Sequence, residues 1–230
     1  MTDTTTANEG FDAGAAVTRS LLGWGVVAGP FYVAIGLVLA LTRPGFDLTR
    51  HQLSLLMLGD FGWAQTTNLI VVGLMVVAAA VGFHQALHAS SRATRVATLL
   101  GVFGLGMIGS GIFPPDPMAG FPVGMAEQAS TSGILHLAFG AIGFMALGAA
   151  ALATAGWFAE RGDTDTARLS RVCGTVVIVG FLAGGALAAS IVGVAALWLA
   201  VLVGLGWLAL ASVRAYRTVP HPDAHRRPPA

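Results

Sequence analysis

Two polar segments interrupt the long apolar runs of this 230-residue chain, and both carry residues able to do chemistry. The first, TRPGFDLTRHQLSLLMLGDFGWAQ from Thr42 to Gln65, holds Arg50, His51, Ser54 and Asp60. The second, PPDPMAGFPVGMAEQAST from Pro114 to Thr131, holds Asp116 and Glu127, and His136 follows it inside the next apolar run. Histidine with a carboxylate suits two chemistries. His51, Asp116 and His136 are candidate ligands for a divalent metal such as zinc, which takes nitrogen and oxygen donors and makes hydroxide from bound water. Asp116 and His136 are equally a candidate acid–base pair for lipid or ester chemistry, with Ser54 as the candidate nucleophile. Asn68, Ser110 and Glu127 complete the polar set. A purely structural reading stands beside these: Asp116, held extended between two prolines, caps a turn, and His136 hydrogen-bonds a neighbouring helix. No spacing in the set is diagnostic alone.

Other features exclude chemistry. All twelve basic residues are Arg, so no lysine Schiff base forms. A single cysteine, Cys173, rules out an internal disulfide and a Cys-x-x-Cys redox pair. His84 and His88 sit one helical turn apart, but Gln85 stands where a zinc protease places its Glu, so the pair is read as a helix end favoured by the dipole. A bis-histidine haem needs two histidines at matching depth in different helices, and His136 alone is placed within a span. No haem or nucleotide is expected. Trp24, Trp157, Trp198 and Trp207 are read as boundary or packing residues. A net charge of +1 gives no cationic field for nucleic acid.

The elements that must position the polar set are membrane helices. Hydrophobic residues make up 55% of the chain and charged ones 10%, too apolar for a soluble core of this size. Apolar runs span Leu21 to Leu41, Thr66 to Leu87, Val96 to Phe113 and Gly133 to Trp157. The run from Val172 to Val213 would be about 60 Å long as one helix, twice the bilayer core, so it folds back as two spans turning near Ser190 to Gly193. The expected fold is thus all-α, a bundle of six transmembrane helices over residues 20–213, with unstructured tails at 1–19 and 214–230. Positive residues gather on the cytoplasmic side. Six spans put ten arginines on the side of both termini and only Arg43 and Arg50 opposite, so both termini are expected in the cytoplasm and the polar set on the extracytoplasmic side. The middle of the 42–65 loop is expected to lie in the interface as an amphipathic helix, anchored by Phe61 and Trp63, with His51 and Ser54 on one face. Gly25 with Gly29, and Gly180 with Gly184, have the spacing of close helix contacts, and the third helix, with five glycines, is expected to be central.

HQLSLL followed by GW and Asn68, the turn GIFPPDP, and Ser-x-x-Gly-x-x-His ending in GILH together resemble the bacterial and archaeal membrane family called domain of unknown function 998. That family is itself distantly reminiscent of the Frag1/DRAM/Sfk1 membrane proteins. The resemblance covers roughly residues 20 to 213. It implies a bundle of about six spans with no established activity, in a prokaryotic plasma membrane. It singles out Ser54, Asn68, Gly111, Phe113, Pro114, Asp116, Gly133 and His136 without naming a reaction, and it does not extend to His51 or Glu127.

The reading placed first is a non-enzymatic membrane protein, a scaffold or lipid-binding module whose partners are membrane lipids and not nucleic acid. The alternative is a membrane-embedded enzyme acting on a lipid or isoprenoid through Asp116 and His136. A transporter ranks below both, because no span carries a charge at its middle and no inverted repeat is visible.

Overall fold

A computed structural model of the chain describes residues 11–87 and 91–223, so His88 and the arginines at 226 and 227 lie outside the described residues. Six long helices make up the described architecture: α1 Ala13–Thr42, α2 Gly62–Ala86, α3 Ser91–Ile112, α4 Thr131–Glu160, α5 Thr164–Ala186 and α6 Ile191–Thr218. All six are long and apolar enough to cross a membrane. The shortest has 22 residues, about 33 Å of helix against a hydrocarbon core of about 30 Å. The chain is a multi-pass membrane protein.

Local chemistry sets the helix ends. Asp12 accepts from the Ala15 N–H at 2.9 Å, so α1 begins well before the apolar run that defines its span. Ser130 and Ser190 cap α4 and α6 in the same way, accepting from Gly133 and Gly193. The Ser190 cap places the fold-back between α5 and α6 at residues 187–190, beside the expected turn. Asp12 N–H also donates to the Pro222 carbonyl at 2.9 Å, joining the two ends of the described chain.

The helices form a ring. Each packs against its neighbours in sequence, α6 returns to α1, and contacts across the ring are sparse. Without water to drive helices together, membrane bundles depend on close backbone approach, and small residues supply it. Glycines occupy every seam. Gly82 of α2 faces the Leu22 backbone of α1, Gly73 and Gly104 face each other between α2 and α3, and Gly106 meets the Phe139 carbonyl of α4. Gly148 and Gly174 join α4 to α5, Gly180 approaches the Ala196 carbonyl of α6, and Gly29 faces Leu205 across α1 and α6. The pairs Gly25/Gly29 and Gly180/Gly184 thus make the close contacts their spacing suggests. The third helix is not central: α3 touches α2 and α4 only, because Gly104 and Gly111 serve one flank while Gly106 and Gly109 serve the other.

The 42–65 loop also departs from expectation. Between α1 and α2 the only helical piece is a short 3-10 segment, Leu53–Met57, in which Leu53, Leu55, Leu56 and Met57 are all buried, and Gly62 to Gln65 belong to α2. Four apolar residues in five turn inward at one end of the ring, so the segment does not lie flat as an interfacial helix. Phe61 and Trp63 remain exposed, at 67% and 69%. His51 precedes the segment and shares no helical face with Ser54.

Candidate functional site

The loop end of the ring is built around the turn GIFPPDP and the start of α4. Asp116 accepts the Ser130 N–H at 3.1 Å on Oδ2 and the Ser130 hydroxyl at 2.5 Å on Oδ1. The Ser130 oxygen in turn accepts from the Gly133 N–H at 3.0 Å. The carboxylate lies over the first turn of α4, where unpaired N–H groups and the helix dipole favour negative charge. Gly133 is required there, since a Cβ at that position would run into the carboxylate. The Ser132 hydroxyl adds a bond to the Pro114 carbonyl at 2.8 Å.

One turn further along α4, His136 Nδ1 lies 2.9 Å from the carbonyl oxygens of both Ser110 and Phe113. Carbonyls only accept, so Nδ1 carries the proton and shares it between them. In the neutral ring the lone pair is then on Nε2. The Ser110 hydroxyl returns a bond to the His136 carbonyl at 3.1 Å. The last turn of α3 is therefore stitched to α4, and the free ring nitrogen turns away from the stitch. It has no hydrogen-bond partner among the described residues. The Asp116 carboxylate is near enough to interact electrostatically with this ring.

Both residues line a cavity of about 350 Å³ in the middle of the ring, to which all six helices and the 3-10 segment contribute. Its polar residues cluster at the loop end, where Gln52, Ser54, Ser110, Asp116 and His136 meet. Deeper, the wall is apolar: Phe103, Phe144, Phe181, Leu197, Trp198 and Val201. Phe144 stacks on Phe181 at 4.9 Å and meets Phe103 edge-on. One turn below these, Leu147, Val177 and Leu205 are fully packed and close the floor. Small residues make the space, because Gly140, Gly143 and Gly185 stand in the wall where larger side chains would fill it.

The structure divides the residues singled out from sequence. Ser54, Ser110, Asp116 and His136 come together around the cavity mouth. His51 does not join them. It is 2% exposed, its Nδ1 accepts from the Asp47 N–H at 2.8 Å, and its Nε2 faces the Ala119 carbonyl at 3.2 Å. Ala119 sits in a tight turn at φ 56°, an unusual conformation for a residue with a side chain, and the turn offers its carbonyl to His51. Phe46 and Phe121 pack on the ring, and His51 clips the two long loops together. Asn68 donates to the Tyr32 carbonyl and to Gln65 Oε1, both at 3.1 Å, and ties α2 to α1. Glu127 is exposed and accepts from the Gly120 N–H. Asp60 is exposed. His51, Asp116 and His136 thus do not form one ligand set, and no cluster of three His, Cys, Asp or Glu fit to hold a metal occurs among the described residues.

Sequence reasoning missed Tyr32, Gln52 and Trp198 as cavity residues. Their signal is weak, because each is ordinary in its own segment and only ring closure brings the segments together. No local signal separates Gly140 of α4 from the glycines that pack; the structure alone shows that a Cβ there would meet nothing closer than 3.6 Å.

The family described as protein of unknown function, DUF998, matches residues 26–214. No curated protein and no solved structure matches the chain.

Proposed function

The chain belongs to the DUF998 family, and from its geometry we propose that it is a non-enzymatic lipid-binding membrane protein that holds one amphiphile in its ring. The observation that carries this reading is the cavity: closed below, apolar along its walls and polar at its mouth, it matches a molecule with a greasy tail and a polar head. At about 30 Å³ per water-sized group it has room for roughly a dozen such groups. The arginine distribution supports an orientation with both termini in the cytoplasm and the cavity mouth on the extracytoplasmic side, in the plasma membrane of a prokaryote.

The test is native mass spectrometry of the protein released from nanodiscs made with cell lipid extract. One lipid per chain is expected on the parent. Gly140→Leu is expected to abolish it, since a Cβ at Gly140 meets only ordinary contacts, at 3.6 Å to Ser110 and 3.8 Å to Phe181, and the rest of the side chain fills the cavity. A parent protein that emerges free of lipid, or a Gly140→Leu variant that keeps it, overturns the proposal.

A second reading, an enzyme acting on a lipid or isoprenoid, is favoured by one observation. His136 Nε2 is an unoccupied acceptor on a ring fixed in orientation, next to Asp116 and in the same cavity as Ser54. An imidazole so held is suited to general-base work. Conversion of a labelled lipid by the parent and its loss in His136→Asn would establish this reading. Lipid bound and recovered unchanged would reject it.

A further inference from the structure

The lipid-binding reading leaves open what head group the cavity takes, and its chemistry bears on that. We propose that the cavity selects an amphiphile with an uncharged hydroxyl head, a long-chain alcohol, over the corresponding phosphate or carboxylate.

Anionic heads are disfavoured by what lines the mouth. No arginine is among the lining residues, and the one charged side chain is the Asp116 carboxylate. A phosphate or carboxylate would sit beside a like charge, away from water, with no cation to offset the cost. The two usual seats for such a group are already taken. The N-terminus of α4, a natural anion site, holds Asp116 itself. Arg43, at the same end of the molecule, donates to the Leu56 carbonyl at 3.2 Å, and the exposed Arg50 points at the Ala119 carbonyl. Neither reaches the cavity wall.

A hydroxyl matches both open groups. It donates one hydrogen bond and accepts others. His136 Nε2 lacks a donor, and the Ser54 hydroxyl, on the 3-10 segment over the mouth, has no hydrogen-bond partner among the described residues. The alcohol head supplies the proton to the first and an acceptor to the second, while its chain runs down between Phe144, Phe181 and Trp198.

The experiment measures binding of dodecanol, dodecyl phosphate, dodecanoate and dodecane to the full chain in nanodiscs at neutral pH. Specific binding is the part absent from Gly140→Leu. Dodecanol is expected to saturate at about one per chain and to bind at least about ten-fold more tightly than the phosphate and the carboxylate. His136→Asn keeps an amide N–H where Nδ1 stood, and so the stitch to Ser110 and Phe113, but removes the Nε2 acceptor. It is expected to weaken dodecanol about ten-fold, the worth of one hydrogen bond, while dodecane binding stays the same. Ser54→Ala is expected to weaken dodecanol by less. Tighter binding of the phosphate or carboxylate, or an unchanged affinity in a folded His136→Asn, overturns the head-group proposal and leaves the lipid-binding reading standing. Specific binding of none of the four compounds overturns both.

Discussion

The sealed seams of the ring and the wall of its cavity use the same small residue in opposite ways. Near the termini, a Cβ on Gly82 would lie 2.9 Å from the Leu22 backbone nitrogen, and one on Gly25 would run into Ser212. Side chains complete the seal there. Trp207 donates to Ser170 at 3.0 Å, Thr18 to Gln85 at 2.9 Å, and the Arg161 and Arg19 guanidinium groups lie over Trp157 and Tyr216. Near the loops, Gly140 meets nothing closer than 3.6 Å and Gly185 nothing within 4 Å. The seams spend their glycines on contact, at the loop end as well in Gly106, Gly109 and Gly184, while the cavity wall spends Gly140 and Gly185 on space. A bundle selected for packing alone would fill that space, because each empty methyl-sized volume in a core costs about 1 kcal/mol. The contrast separates the stabilising seams from a cavity wall shaped for a guest.

The comparison breaks first, and by the largest margin, at a matched pair of glycines. Gly82→Ala is expected to destabilise the protein by about 1–3 kcal/mol, because the new methyl meets backbone that cannot rotate away. Gly140→Ala is expected to change stability by less than about 0.5 kcal/mol while reducing bound lipid. Reversible unfolding in mixed micelles measures both. Equal costs at the two positions would mean that the loop-end cavity is packed as tightly as the terminal seams.

A change of comparable or slightly smaller size is expected within the loop half itself, where the mouth is held by a few directed bonds and not by packing. Asp116→Ala leaves the Ser130 N–H and hydroxyl unpaired at the start of α4, and about 1–3 kcal/mol should be lost. Asp116→Asn, which can still accept from Ser130, should lose about half as much. If both variants unfold like the parent, Asp116 is not what anchors the loop to α4.

The sequence makes the architecture legible and the site only partly so, and the reason is the range over which each is determined. Six spans follow from uninterrupted apolar runs, and the fold-back between α5 and α6 follows from a length no single helix could use, so both are visible residue by residue. Asp116, Gly133 and His136 are legible too, because one short stretch carries the whole stitch from turn to cap to helix. His51 was grouped with them by position along the chain, yet its partners are the Asp47 N–H and the Ala119 carbonyl, backbone groups that composition cannot reveal. The helical face it was to share with Ser54 is missing because Leu53, Leu55, Leu56 and Met57 all turn inward. The cavity is the least legible feature. Tyr32, Phe103, Phe181 and Trp198 come from four helices and meet only when α6 closes on α1, a pairing that no local pattern encodes.

The smallest expected effect concerns acid, and it tests whether the two ends loosen together. Asp47, in the first long loop, is held below its ordinary value of 3.8, chiefly by the Thr49 hydroxyl and then by the Thr49 N–H, with His51 and Arg50 adding to the attraction. Asp163, the cap of α5 at the opposite end, is lowered in the same way by Thr166, with Arg214 as the nearby cation. A carboxylate whose folded value is depressed stabilises the fold at every pH above its unfolded value, and that contribution disappears as pH falls through the lower folded value. Nothing should change between pH 7 and 5 on this account, and the loss begins only below about 4. Asp47 is exposed and Asp163 half-buried at the surface, so the effect is local and screened by salt. The consequences differ by end. Releasing Asp47 frees the loop that His51 clips over the mouth, whereas releasing Asp163 frays one turn of a helix sealed on both flanks. Limited proteolysis across pH 7 to 3, with an acid-tolerant protease, should therefore nick the 43–52 segment at a higher pH than the 161–164 turn. Asp47→Asn should flatten the first response and leave the second alone. Simultaneous cleavage at both places would show that the loop end is no looser than the sealed end.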